Sequence, residues 1–334
     1  MEHLLTIRDL RTHFFLDEGT VRAVDGVDLD IPRSRTVGLV GESGCGKSVT
    51  AFSILRLVPR PGRIVSGRIV LHRDGKPLVL TDLPAEGRAI RRVRGNEIAM
   101  VFQEPMVSLS PVHRVGSQIM EAVLLHTSMS RSAARRHTVE MMGRVGIPNP
   151  QRRFRQFPHE MSGGLRQRAM IAMALSCNPA LLIADEPTTA LDVTIQAQIL
   201  ELMREIQREQ ATSILLITHD LGVIAEMADE VSVMYLGRVV EQADTREIFA
   251  RPLHPYTQAL MRSIPARAPR GSRLAVLSGS VPDAFEQIPG CPFHPRCPEA
   301  VAGTCDGGGV PPLTEVTAGH KVACRLRRKG GARG

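Results

Sequence analysis

The sequence predicts an α/β fold, and three observations carry that expectation. Short apolar runs read as buried strands: Thr36-Val37-Gly38-Leu39-Val40, Ala180-Leu181-Leu182-Ile183-Ala184 and Ser213 to Ile217. Segments with apolar residues at helical spacing alternate with them, as at Ile195, Ile199, Leu202 and Ile206. Between the first strand and a helix from Val49 to Leu57 lies Gly41-Glu42-Ser43-Gly44-Cys45-Gly46-Lys47-Ser48, which fits the pattern G-x-x-x-x-G-K-[ST].

That loop has a physical purpose. Phosphates carry several negative charges, so a loop that holds them turns its backbone N–H groups inward at the positive end of a helix. Glycine permits the curvature. Lys47 is then placed to reach β- and γ-phosphates as a point charge, and the Ser48 hydroxyl to ligate Mg²⁺.

Composition narrows the class. The 334 residues allow about two domains. No apolar run approaches the ~18 residues that cross a bilayer, and Met1-Glu2-His3-Leu4-Leu5 lacks a signal-peptide pattern, so a cytosolic chain is expected. The net charge of +8 admits acidic partners without choosing among them. Two tyrosines and no tryptophan make a poor stacking platform for single-stranded nucleic acid.

In chain order, Leu5-Thr6-Ile7 and Val21 to Leu29 alternate as a hairpin turning at Asp17-Glu18-Gly19. Phe14 lies within it, 27 positions before Gly41, and suits either adenine stacking or the core. Ser66 to Leu71 and Glu97 to Phe102 read as strands, the second ending at Gln103, a candidate contact to Mg²⁺ or water. Gln118 to Gly146 turns helical, as an insert in the α/β core. Ser162-Gly163-Gly164 opens a helix from Leu165 to Leu175, which is either a plain cap or a second anion site. Asp185 and Glu186 close the strand 180–184, where one carboxylate suits Mg²⁺ coordination and the other the orientation of a water for attack on phosphate. His219, just beyond another strand, suits either a γ-phosphate contact or a structural place.

Taken together and in order, the phosphate loop, Gln103, Ser162-Gly163-Gly164-Leu165-Arg166-Gln167-Arg168, Leu182-Ile183-Ala184-Asp185-Glu186, Leu191-Asp192 and His219 resemble the ATP-binding cassette of ABC transporters. The resemblance covers roughly Leu5 to Ala250. It implies a P-loop NTPase (RecA-like) core with an antiparallel β subdomain, a helical subdomain at about 104–165 and a small cysteine-containing extension over 251–334. Its implied roles are Phe14 for adenine stacking, and Gly41, Ser43, Gly44, Cys45, Gly46, Lys47, Ser48 and Val49 around the phosphates. Ser48, Gln103 and Asp185 fall to Mg²⁺, Glu186 to the catalytic carboxylate, Asp192 to the dimer-crossing loop and His219 to the switch histidine. In such cassettes two chains sandwich two ATPs, so Ser162, Gly163 and Gly164 would hold the γ-phosphate bound to the other chain. Leu165 departs from the glutamine that many cassettes carry there.

Arg94 to Gln103, Pro158 to Gly164, Ala184 to Thr194 and Leu253-His254-Pro255-Tyr256-Thr257-Gln258-Ala259-Leu260 look like the dipeptide and oligopeptide importers, a subfamily that includes nickel importers. The resemblance implies a "D"-type ATPase subunit at the cytoplasmic face of the inner membrane. Its implied partners are an "F"-type ATPase, two transmembrane permeases and an extracytoplasmic substrate-binding protein, with no nucleic acid. Peptide and nickel stay open as substrates. A soluble ABC ATPase acting on nucleic acid or ribosomes is the alternative that the charge permits.

Cys291, Cys297, Cys305 and Cys324 fall in a segment poor in apolar residues. Cytosolic disulfides are disfavoured, which leaves a metal site or idle thiols. Gaps of five, seven and eighteen residues lack the close pairs of a zinc ribbon, and both zinc and an iron–sulfur cluster are open on chemistry. The resemblance implies a [4Fe-4S] cluster, with Zn²⁺ second.

Overall fold

The computed structural model describes residues 2–73, 75–103, 108–189, 192–263 and 279–327. The strands in chain order are β1 (His3–Leu16), β2 (Gly19–Pro32), β3 (Thr36–Val40), β4 (Gly62–Leu71), β5 (Leu78–Val79), β6 (Ile98–Val101), β7 (Leu181–Asp185), β8 (Ser213–Ile217), β9 (Glu230–Tyr235), β10 (Arg238–Asp244), β11 (Thr314–Thr317) and β12 (His320–Val322). The hairpin, the strand at Ser66–Leu71 and the three apolar runs occur where the periodicity places them. The described residues fall into two compact units.

One unit comprises Met1–Leu4, Ile31–Arg35 and Asp82–Leu216. Its strands lie in the order β8-β7-β6, with β6 and β7 parallel and Ile98 opposite Leu181. Every residue of β6, β7 and β8 is buried, which explains why they read as continuous apolar runs rather than alternating ones. The expected helical insert is two helices, Val115–His126 and Arg131–Arg144, the second capped by the Ser130 hydroxyl accepting from Ala133 N–H. Helix Gly163–Leu175 packs against both. Helix Val193–Gln210 buries Ile199, Leu202 and Ile206 of the predicted stripe and adds Leu200 and Met203, while Ile195, near the helix start, is only half-buried.

The other unit comprises Leu5–Asp30, Thr36–Thr81 and Ile217–Gly334. An antiparallel sheet in the order β2-β1-β4-β5 pairs Leu5 with Leu71 and Phe14 with Gly62. A second set of strands lies in the order β11-β12-β10-β9-β3, where β3 and β9 are parallel and the rest antiparallel. The phosphate loop and the cysteine tail therefore belong to the same unit, although about 250 positions separate them.

Candidate functional site

The phosphate loop leaves β3 and enters helix Lys47–Ile54 through Gly46. Gly46 has φ +105°, and a Cβ there would lie 2.1 Å from the Ala23 carbonyl. Gly41 is as tightly held, since a Cβ would lie 2.2 Å from the Met234 carbonyl. Both positions therefore demand glycine on steric grounds. Gly44 (φ +80°) faces open space, and Ser43 beside it is exposed.

Lys47 is 6% exposed, and its ammonium donates to the carbonyls of Gly41 (2.8 Å) and Glu42 (3.0 Å). Carbonyl dipoles orient the ammonium without cancelling its charge. A buried cation beneath an open, glycine-rich turn suits a polyphosphate. Ser48 follows at the first turn of the helix. The Cys45 thiol is buried 3.7 Å from the ammonium, and burial pushes its pKa up.

In the other unit β7 ends at Asp185, which is buried, and the chain turns sharply at Glu186, whose φ is +47°. A non-glycine residue in this region stores about 1–3 kcal/mol of strain. The turn is closed by Thr189 N–H, which donates to the Glu186 carbonyl at 3.2 Å. The carboxylate accepts from Gln103 Nε2 (3.0 Å) and from the Thr189 hydroxyl (2.9 Å) on one oxygen. The structure thus joins Gln103 and Glu186, which the sequence singled out separately, and adds Thr189, which the sequence reading missed. Gln167 Nε2 donates to the Pro187 carbonyl at 2.5 Å, tying helix Gly163–Leu175 to the same turn.

Ser162 caps that helix, its hydroxyl accepting from Leu165 N–H at 3.4 Å. Ser162 and Gly163 are exposed, and a Cβ on Gly163 would meet open space. Asp192 caps helix Val193–Gln210 by accepting from Ile195 N–H at 3.0 Å. Leu191 lies outside the described residues. His219 is exposed two positions past β8. Phe14 is half-buried with its ring over Gly62, where a Cβ would come within 2.6 Å. Its neighbour Phe15 is exposed, with the Arg63 guanidinium 4.4 Å above the ring.

Two model families match the chain. Residues 24–189 match "ABC transporter", and residues 240–305 match "Oligopeptide/dipeptide transporter, C-terminal region". A probable peptide ABC transporter ATP-binding protein of Sinorhizobium fredii is 53% identical over 96% of this chain and 94% of its own length. The chain belongs to the ABC transporter ATP-binding family. The dipeptide transport ATP-binding protein DppD of Bacillus subtilis is 48% identical over 98% of this chain and 96% of its own length. The oligopeptide transport ATP-binding protein OppD of Escherichia coli is 44% identical over 96% and 92%. Among solved structures, cbiO1 of Clostridium perfringens, part of an ABC transporter complex, matches with TM-score 0.60 at 27% identity over 75% of this chain and 92% of that one. A dimeric ATP-binding cassette bound to ADP and phosphate shares the fold, with TM-score 0.64 at 24% identity over 72% and 99%. The α/β ATPase cassette fold expected from the sequence is thus established. Among the described residues, no helix is long and apolar enough to cross a membrane.

The tail of this ABC cassette chain departs from expectation. Cys291, Cys297, Cys305 and Cys324 converge closely enough for their charges to interact, and all are free thiols. Cys291 N–H donates to the Cys305 carbonyl at 2.8 Å. Burial, and then their mutual repulsion, raises the Cys291 thiol to about 11 and lifts Cys297 and Cys324 as well. Among the described residues, however, no group of three or more Cys, His, Asp or Glu is arranged to hold a metal ion. The expected [4Fe-4S] or zinc site is therefore unsupported: the backbone gathers the thiols but does not set them in a ligand geometry.

Proposed function

We propose that this chain is the ATP-hydrolysing subunit of an ABC importer that drives uptake of di- or oligopeptides through separate permease chains. The observation that carries the reading is the pairing of an ATP-binding cassette with the oligopeptide/dipeptide C-terminal region at residues 240–305. Relatives named for dipeptide and oligopeptide transport support it along nearly the whole chain.

The proposed roles follow the chemistry of each side chain. Lys47 and the N–H groups of Gly41, Ser43, Gly44, Cys45, Gly46, Ser48 and Val49 bind the phosphates. Ser48, Gln103 and Asp185 would hold Mg²⁺, which when bound neutralises charge on the β- and γ-phosphates. Glu186 orients the attacking water, held in place by Gln103 and Thr189. His219 senses the γ-phosphate and Phe14 stacks on adenine. The exposed N-terminus at Ser162, Gly163 and Gly164, with Asp192, serves a second cassette, for which an F-type paralogue is proposed. The cassette is assigned to residues 1–250, with its helical part at about 104–165, and the extension to 251–334. A peripheral place on the cytoplasmic face of the inner membrane follows from the permease partners, and a substrate-binding protein supplies the peptide. For the tail, the convergence of four thiols supports one shared thiol site, and iron and zinc analysis of anaerobically prepared protein tests whether it takes metal.

Uptake of labelled di- and oligopeptides, and separately of nickel, in a deletion strain carrying this chain or its Glu186→Gln variant tests the assignment. Peptide uptake restored only by the unsubstituted chain is expected. Restoration of nickel uptake alone would replace the substrate, and restoration of neither would overturn the import reading.

A further inference from the structure

Glu42 is the second residue of the phosphate loop, and every polar group on it is engaged. Its carbonyl accepts from Lys47 Nζ at 3.0 Å and from Cys45 N–H at 3.3 Å. Its N–H donates to the Tyr256 hydroxyl at 2.8 Å. Its carboxylate accepts a two-pronged bond from Arg296, with Nη1 at 2.7 Å and Nη2 at 3.0 Å. Planar fork-to-carboxylate pairing fixes direction as well as distance.

Both outside partners come from the C-terminal segment. Tyr256 opens helix Pro255–Arg262, and its ring packs on Tyr235 and Phe293 at centroid distances of 4.7 and 5.4 Å. Arg296 lies in the short turn His294–Arg296, and its side chain is 4% exposed. That turn is bounded by two thiols, since His294 N–H donates to the Cys291 carbonyl at 2.9 Å and Cys297 N–H to the His294 carbonyl at 3.2 Å.

We propose that Arg296, seconded by Tyr256, is a positioning residue for the phosphate loop, so that the cysteine tail sets how tightly the loop binds ATP. Two physical effects act in the same direction. The fork and the tyrosine hydroxyl hold Glu42, and through its carbonyl they hold Lys47. Arg296 also neutralises a carboxylate that would otherwise repel an incoming polyphosphate from within the loop. The proposal rests on the reading of residues 41–48 as the ATP site.

The experiment measures the Kd of a fluorescent ATP analogue for the full chain and its variants, with thermal melts to confirm folding. The unsubstituted chain should bind; if it does not, the ATP-site reading itself fails. Arg296→Ala should weaken binding about tenfold, and Arg296→Lys, which keeps the charge but not the fork, should fall between. Adding Glu42→Gln to Arg296→Ala should recover the part of the loss due to the uncompensated charge and leave the part due to the missing fork, a recovery that a merely structural defect would not allow. Tyr256→Phe, which deletes a single oxygen, should weaken binding about threefold and stands in if Arg296→Ala does not fold. Unchanged affinity in folded Arg296→Ala, or no recovery in the double variant, would overturn the proposal.

Discussion

Gln103 Nε2 donates to Glu186 Oε2 at 3.0 Å, joining the end of one buried strand to the carboxylate that follows the next. The Thr189 hydroxyl shares that oxygen, and Glu186 keeps a left-handed backbone. Such a carboxylate is aimed by its neighbours. Glu186→Gln preserves shape and still accepts from Thr189, so it should bind ATP normally while turnover falls about 10²–10⁴-fold. Single-turnover hydrolysis beside equilibrium ATP binding checks this, and brisk hydrolysis by the variant would remove Glu186 from the reaction.

Glycine substitutions in the phosphate loop should separate by position. Gly46→Ala puts a Cβ 2.1 Å from a carbonyl at a positive φ, and should abolish nucleotide binding and lower the melting temperature. Gly44→Ala bears the positive φ alone, at about 1–2 kcal/mol, because its Cβ meets open space. Equal melting temperatures for the two variants would contradict the steric account.

His254 is buried beside β10, and its Nδ1 accepts from Tyr256 N–H at 3.1 Å. Burial lowers its pKa from 6.5 to about 4, against the opposing pull of Glu241. The unfolded chain therefore binds the extra proton first as pH falls. The neutral ring contributes stability above pH 6.5 that is lost between about 6.5 and 4, to a limit of about 3 kcal/mol. Urea melts at pH 7 and pH 4.5 should show the loss, and His254→Asn, which keeps a cap but cannot titrate, should flatten that part of the profile.

Cys45 should resist alkylation. It is 4% exposed and its thiol pKa is raised by burial, with nearby Lys47 opposing, so little thiolate is present at neutral pH. Mass spectrometry after iodoacetamide treatment should show slow labelling in the folded chain and fast labelling in denaturant. Protein labelled at Cys45 should lose ATP binding by bulk, because the sulfur lies within the loop beneath the Gly41 backbone. Full ATPase activity after complete labelling would refute this.

Much of the fold and the phosphate loop was legible along the chain. Buried strands such as β3, β7 and β8 announce themselves because both faces are covered, so they read as near-continuous apolar runs with a polar residue only at an end. The loop is legible because its glycines, Lys47 and Ser48 are consecutive, and its curvature is a local property. Gln103 and Glu186 each stood out as a polar group at a strand end, although their mutual bond is a matter of sheet register. The four cysteines were visible as a group, but not that their backbone would gather them without setting them as ligands.

The pairing of Arg296 with Glu42 had no signal at all, because 254 positions separate them and an arginine in a basic tail looks like any other. By itself the sequence determined what is local: which segments bury both faces, where backbone must bend, and which side chains carry charge at those bends. Tertiary structure alone decided which distant charges meet, because such a meeting depends on how β9, β10 and the C-terminal turns pack around the loop. No periodicity along the chain encodes that packing.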